Sequence, residues 1–138
     1  MSVFTSTDEL QQVMEDLWRE IKSTPEMAEK LVESRLIVQF RYREPEGLIT
    51  IDCSDGQEMK IFVGKTELKP LIEMSMKADI AHDFWLGKVN VPMALMMGKI
   101  VSKGPTPKAL ALLPVIKPAY TLYPKVLEIR GKSTQLAG

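Results

Sequence analysis

Two side chains in this sequence have the chemistry for covalent or general-base catalysis, and each occurs once: Cys53 and His82. A cysteine becomes a nucleophile as its thiolate, next to a base that a third group orients. No motif supplies that third group. Cys53 closes a predicted strand and reads as a small buried hydrophobe. His82 lies beside Asp83 in a short predicted helix and reads as a surface residue, not a general base. One Cys and one His do not complete a zinc site, so no metal is expected. Gly98-Lys99 and Gly104 lack the spacing of a phosphate cradle, so neither a nucleotide nor any other cofactor is expected. The chain does not read as an enzyme.

The other distinctive side chains are thioethers. Met74, Met76, Met93, Met96 and Met97 crowd into residues 74–97, beside Phe84 and Trp85. Unbranched, polarisable methionine adapts to irregular shapes and recurs on surfaces that accept varied apolar partners. One reading is that these residues simply fill a core. The other is that they wall an apolar cavity. Met93, Met96 and Met97 stand at helical spacings, so at least two share a face, while Ile72, Met74 and Met76 share one face of a strand. Burying about 400 Å² of ligand at ~25 cal/mol/Å² is worth ~10 kcal/mol before association costs. That suffices for roughly micromolar binding without polar contacts, and it leaves the ligand's identity unspecified.

The elements that must position these residues follow from periodicity. Ser6-Thr7-Asp8-Glu9 matches a capping box, and Leu10, Val13, Met14, Leu17 and Ile21 repeat behind it as an amphipathic helix with Trp18 at the stripe's edge. Thr24-Pro25 opens a second helix through Val32. Leu36–Tyr42 alternates as a strand, Leu48–Cys53 is a second, Glu58–Val63 a third and Leu71–Lys77 a fourth. The turns between the strands are short, so an antiparallel arrangement is expected. Asp79 caps a helix over Ile80–Leu86, Pro92–Met97 forms another that Gly98 stops, and Lys99–Lys103 is a fifth strand. Pro114, Pro118 and Pro124 break the remainder into short helical pieces. Neither a repeat nor a linker is evident, so residues 1–138 read as one domain.

Charge narrows the partners. The net charge is zero, which argues against nucleic acid. Residues 1–35 nonetheless hold eight acidic and four basic side chains, whereas 99–138 hold seven basic ones and only Glu128. This asymmetry reads either as solvated faces or as a basic surface meeting anionic lipid headgroups. The longest uncharged stretches, Val89–Gly98 and Ala109–Ile116, fall short of the ~20 residues of a membrane helix. Asp8 and Glu9 precede any apolar run, the last residues form no peroxisomal address, and a lone Cys53 allows no intrachain disulfide. A cytoplasmic protein is the expectation.

The order of motifs then becomes recognisable. Asp83-Phe84 leads through Gly87-Lys88-Val89-Asn90 into the apolar helix Pro92–Met97. Gly98-Lys99-Ile100-Val101-Ser102-Lys103-Gly104 follows, and then Ala109-Leu110-Ala111-Leu112-Leu113. This order resembles the sterol carrier protein 2 domain family over nearly the whole chain. The resemblance implies an α+β fold: a five-stranded mixed, largely antiparallel sheet covered by helices, with an apolar tunnel between sheet and helices. It implies binding or transfer of a sterol, fatty acid, acyl-CoA-like molecule or related lipid, without chemical change. Within it, Met74, Met76, Phe84, Trp85, Met93, Met96, Met97, Ile100, Leu110, Leu113 and Tyr120 are the expected cavity wall. Segments jointed at Pro105, Pro107, Pro114 and Pro118 are the expected lid. Tyr120, Leu122, Tyr123, Val126 and Leu127 would face the tunnel mouth, and Lys117, Lys125, Arg130 and Lys132 would face water or phosphate; the alternative is a plain closing helix with solvated lysines. A transient contact with an anionic membrane and a homodimer stay open. So does the choice between a carrier and an accessory protein that presents a lipid intermediate to partner enzymes.

Overall fold

The computed structural model describes residues 2–137. Helix α1 (Thr7–Lys22) begins where the capping box places it: the Glu9 N–H donates to Ser6 Oγ at 3.1 Å. The Glu9 carboxylate reaches back one residue further than the usual box and accepts from the Thr5 N–H at 2.9 Å. Its stripe Leu10, Val13, Met14, Leu17 and Ile21 is buried, and Trp18 is buried with it, not on its edge. Helix α2 (Pro25–Glu33) starts on its proline and buries Met27 and Leu31.

Strands β1 (Ile37–Arg43), β2 (Gly47–Asp52) and β3 (Lys60–Val63) form the expected meander. Strand β4 (Ile72–Lys77) does not extend it. The order is β3-β2-β1-β4-β5, with β4 parallel to β1 and β5 (Ile100–Lys103) antiparallel to β4. Antiparallel pairing of β4 with its predecessor, the reading from turn length, is therefore corrected. Residues 64–71 make the difference. Eight extended residues reach roughly 26 Å, enough to carry the chain across three strand spacings of ~4.8 Å and back along the strand. The sheet is mixed and largely antiparallel.

Register assigns the faces. Val38, Phe40 and Tyr42 stand level with Ile72, Met74 and Met76 on β4, and Val38 and Phe40 with Ile51 and Ile49 on β2, all on the helix-covered side. The opposite side is polar: Gln39 Nε2 donates to Thr50 Oγ1 at 3.0 Å, and Arg41 pairs with Glu73.

Helix α3 (Ala78–Trp85) packs on β1 and β4, and α1 on β2 and β3. Asp79 does not cap α3. Its Oδ1 accepts instead from the Val3 N–H at 2.9 Å and from Ser2 Oγ, tying the amino-terminal segment to the helix. Helix α4 (Val91–Met96) is capped by Asn90, whose side chain accepts from the Met93 N–H. Gly104 closes β5 at φ +101°, where an added Cβ would lie 2.1 Å from the Leu71 carbonyl oxygen. The remainder divides into α5 (Thr106–Leu110), α6 (Leu113–Ile116) and α7 (Ala119–Ile129). Pro114 falls in the first turn of α6, and Pro118 immediately precedes α7. Pro124 sits inside α7 without ending it, because buried Tyr123, Val126 and Leu127 hold both of its halves against α1 and α3.

Candidate apolar binding cavity

A cavity of about 80 Å³ lies between the helix-covered face of the sheet and the helices above it. Its floor is the alternating face of β1, Val38, Phe40 and Tyr42, continued by Ile51, Met74, Met76 and Ile100 on neighbouring strands. Trp18 from α1, Leu31 from α2, and Ala81, Phe84 and Trp85 from α3 close it from above. Ala109, Leu112, Leu113 and Ile116 complete the wall from α5 and α6. These four recur at helical spacing, so one face of the broken segment points inward. The wall's aromatic rings interlock: Trp18 meets Trp85 edge-on at 5.6 Å and Phe40 at 5.7 Å, and Phe84 meets Trp85 at 4.9 Å.

Of the residues expected here, Met74, Met76, Phe84, Trp85, Ile100 and Leu113 line the cavity. Met93, Met96, Met97, Leu110 and Tyr120 do not. Tyr120 packs edge-on against the outer side of Phe84. Met93 and Met96 of α4 and Met97 just after it point outward, 52%, 84% and 60% exposed. Their common face is real, but α4 turns it to solvent and sends Val91 inward in its place. Trp18 and the β1 floor went unassigned, although the alternation Leu36-Val38-Phe40-Tyr42 carries the signal that a whole strand face is apolar.

His82 is not a surface residue. It is fully buried, with both ring nitrogens engaged: Nδ1 lies 2.8 Å from the Tyr123 hydroxyl and Nε2 2.7 Å from the Gln135 carbonyl. A carbonyl only accepts, so Nε2 carries a proton, while Nδ1 shares its hydrogen bond with the Tyr123 hydroxyl. Neither nitrogen serves Cys53. The Cys53 thiol lines the cavity, and burial, reinforced by Asp52 and Asp55, pushes it up to about 11, which keeps it protonated and unreactive at neutral pH. Burial likewise raises Tyr42 and Tyr123 well above the ordinary phenol range. Among the described residues no group of three or more Cys, His, Asp or Glu is arranged to hold a metal ion.

The carboxyl-terminal segment departs from the expected lid. Tyr123, Val126 and Leu127 are buried against α1 and α3, away from the cavity wall. Arg130 and Lys132 are engaged by α1: Arg130, still exposed, pairs with Asp16 at 2.6 Å and half-buried Lys132 with Glu9 at 2.8 Å. Helix α5, in contrast, buries no residue fully, and α6 only Ile116.

An open five-stranded mixed sheet roofed by helices over a small apolar cavity defines an α+β fold. The sequence model of the SCP-2 sterol transfer family matches residues 14–117, and the chain belongs to that family of lipid-binding and lipid-transfer domains. Its structure is similar to that of sterol carrier protein domain 2 of Helicoverpa armigera (23% identity, TM-score 0.63, covering 79% of this chain and 88% of that one). It is also similar to apo sterol carrier protein 2 of Yarrowia lipolytica (22% identity, TM-score 0.61, 76% and 88% covered). A third likeness is to a protein described as UbiJ-SCP2 ubiquinone synthesis protein (10% identity, TM-score 0.57, 83% and 91% covered). At these identities the likeness is one of fold. No curated protein matches by sequence.

Proposed function

We propose that residues 1–138 act as one non-catalytic lipid-binding domain, which takes an apolar lipid between β1, β4 and the helices and releases it unchanged. The observation that carries this reading is the almost wholly apolar wall of the cavity, assembled from every layer of the fold. The cavity as it stands is small. Sixteen methylenes, each counted like a water that needs ~10–15 Å³ of such space, call for roughly 160–240 Å³, against about 80 Å³ present. Opening therefore belongs to the function. Helices α5 and α6 are the element to move, because they contribute one side of the wall while burying only Ile116.

The outward methionines fit a second step, docking on an anionic membrane. Met93, Met96, Met97 and Val101 expose apolar surface within residues 84–127, a stretch with six lysines and no acidic side chain. None of those lysines joins an ion pair among the described residues. Apolar groups amid unpaired lysines complement an anionic bilayer. The accessory reading, in keeping with the name of the ubiquinone-synthesis protein of the same fold, would be served by exposed apolar residues on acidic α1 and α2. Large ones are absent there among the described residues. A free, buried Cys53 suits a reducing compartment such as the cytoplasm.

The test is titration of the delipidated protein with a fluorescent acyl-chain probe, paired with native mass spectrometry of protein purified from its own host. Saturable one-to-one binding and a co-purifying lipid are expected. Failure of both the probe and a panel of apolar lipids to bind would overturn the proposal.

A further inference from the structure

The cavity wall holds two hydrogen-bond donors with nothing to donate to. Trp18 and Tyr42 both line it, at 4% and 5% exposure. The indole Nε1 and the phenol oxygen are buried and have no partner among the described residues. The other orphaned side-chain atom, Gln39 Oε1, belongs to the opposite face of the sheet. A buried donor without an acceptor is costly, and a fold retains it where something else completes the bond. The remaining polar groups of the wall make no such demand: the Ser34 hydroxyl already donates to the Leu31 carbonyl, and the Cys53 thiol is a weak donor.

We infer that Trp18 and Tyr42 select the ligand, which is a lipid bearing a neutral acceptor oxygen (a ketone, ester, quinone or hydroxyl oxygen) and not a pure hydrocarbon or a free carboxylate. Charge separates these classes. No Lys, Arg or His lines the cavity, so a carboxylate there would lack a counter-ion. Tyr42 holds its proton because burial raises its pKa, so it stays a donor at any physiological pH. A neutral oxygen accepts from either group without importing charge, whereas an alkane leaves both donors unmet. The inference rests on the lipid-binding proposal and deepens it by naming the polar end of the ligand.

The experiment is competition against a fluorescent apolar probe by four sixteen-carbon compounds: hexadecane, 2-hexadecanone, hexadecanol and palmitate. The ketone and the alcohol are expected to compete at least tenfold better than hexadecane and palmitate. In Trp18→Phe/Tyr42→Phe the advantage of the ketone over hexadecane, both measured on the variant, should fall to within twofold. A second readout needs no variant of these residues: in Trp85→Phe, which leaves one indole, the Trp18 N–H resonance should move downfield with the ketone and stay put with the alkane. Equal competition by ketone and alkane, strongest competition by palmitate, or an unmoved indole signal in the ketone complex would overturn the inference. Absence of probe binding altogether would instead refute the lipid-binding proposal beneath it.

Discussion

Filling the cavity should separate lipid binding from folding. Ala81 lines the cavity from the buried side of α3 and is 1% exposed. Ala81→Leu adds three carbons at that point. A void contributes instability of about 24 cal/mol per Å³, so eliminating about 80 Å³ offers at most ~2 kcal/mol. Against this stands the ~1–3 kcal/mol that an enlarged core residue costs when neighbours must shift. The two nearly cancel, and the unfolding free energy of Ala81→Leu should lie within about 2 kcal/mol of the parent in urea denaturation. Ligand affinity has no such compensation, since the leucine occupies space the lipid needs beside Phe84 and Trp85. Probe binding should weaken at least tenfold. A variant that folds with parental stability and binds the acyl probe with parental affinity would refute placement of the ligand in this cavity.

Three further outcomes are expected. Met96→Asp/Met97→Asp should fold normally, since both side chains are exposed, yet co-float at least tenfold less with phosphatidylserine-containing vesicles; parental co-flotation, or a dimer in sedimentation that the variant abolishes, would reassign the surface. Gly104→Ala forces a Cβ to 2.1 Å from the Leu71 carbonyl at φ +101°, so it should destabilise by about 3 kcal/mol, read as a lower denaturation midpoint. The Lys132 hydrogen bond, helped by the Thr5 N–H, holds Glu9 below the 4.5 of a free carboxyl. Its stabilisation is therefore full above the unfolded value and lost as pH falls through the folded one. Glu9→Gln should be less stable than the parent at neutral pH, with the gap closing on acidification below about 4.5, as pH-dependent thermal melts will show.

The parts of the fold that rest on local chemistry were legible in the sequence. The Ser6 cap, the Pro25 start, the β1 alternation and the Gly87 and Gly98 stops each act within a few residues, and each element appears where those signals put it. What escaped depends on distant partners. Nothing near β4 records that β1 has a free edge, so its parallel pairing was hidden. Met93, Met96 and Met97 share a face as their spacing requires, but which face of a six-residue helix turns inward is decided by Val91 and Ala94 meeting the rest of the fold. His82 is buried by Tyr123 and by Gln135, 41 and 53 residues away. The cavity was half legible for the same reason: its β4 and α3 walls lay in the Met-rich segment, while Trp18 and Tyr42 belong to elements whose patterns a plain core explains equally well.

Those long-range contacts also decide which part of the roof can open. Acidic α1 and the basic residues that follow α7 are complementary, and they meet: Asp16 with Arg130, Glu9 with Lys132. Further along, the Gln135 carbonyl accepts from His82 and the Ala137 N–H donates to Asp83 at 2.7 Å, so the last residues strap across α3. Exposed ion pairs contribute little singly, but here they join a buried seam of Tyr123, Val126 and Leu127. Helix α7 is thereby fixed at its far end. The same charge asymmetry leaves Lys108 within α5 and Lys117 at the end of α6 without acidic partners among the described residues. The roof thus divides at Pro118 into a clamped helix and a loosely held pair. A lipid that parts α5–α6 from the sheet disturbs one buried side chain, Ile116, and six half-buried ones between Thr106 and Val115, while one that displaced α7 would have to break the core.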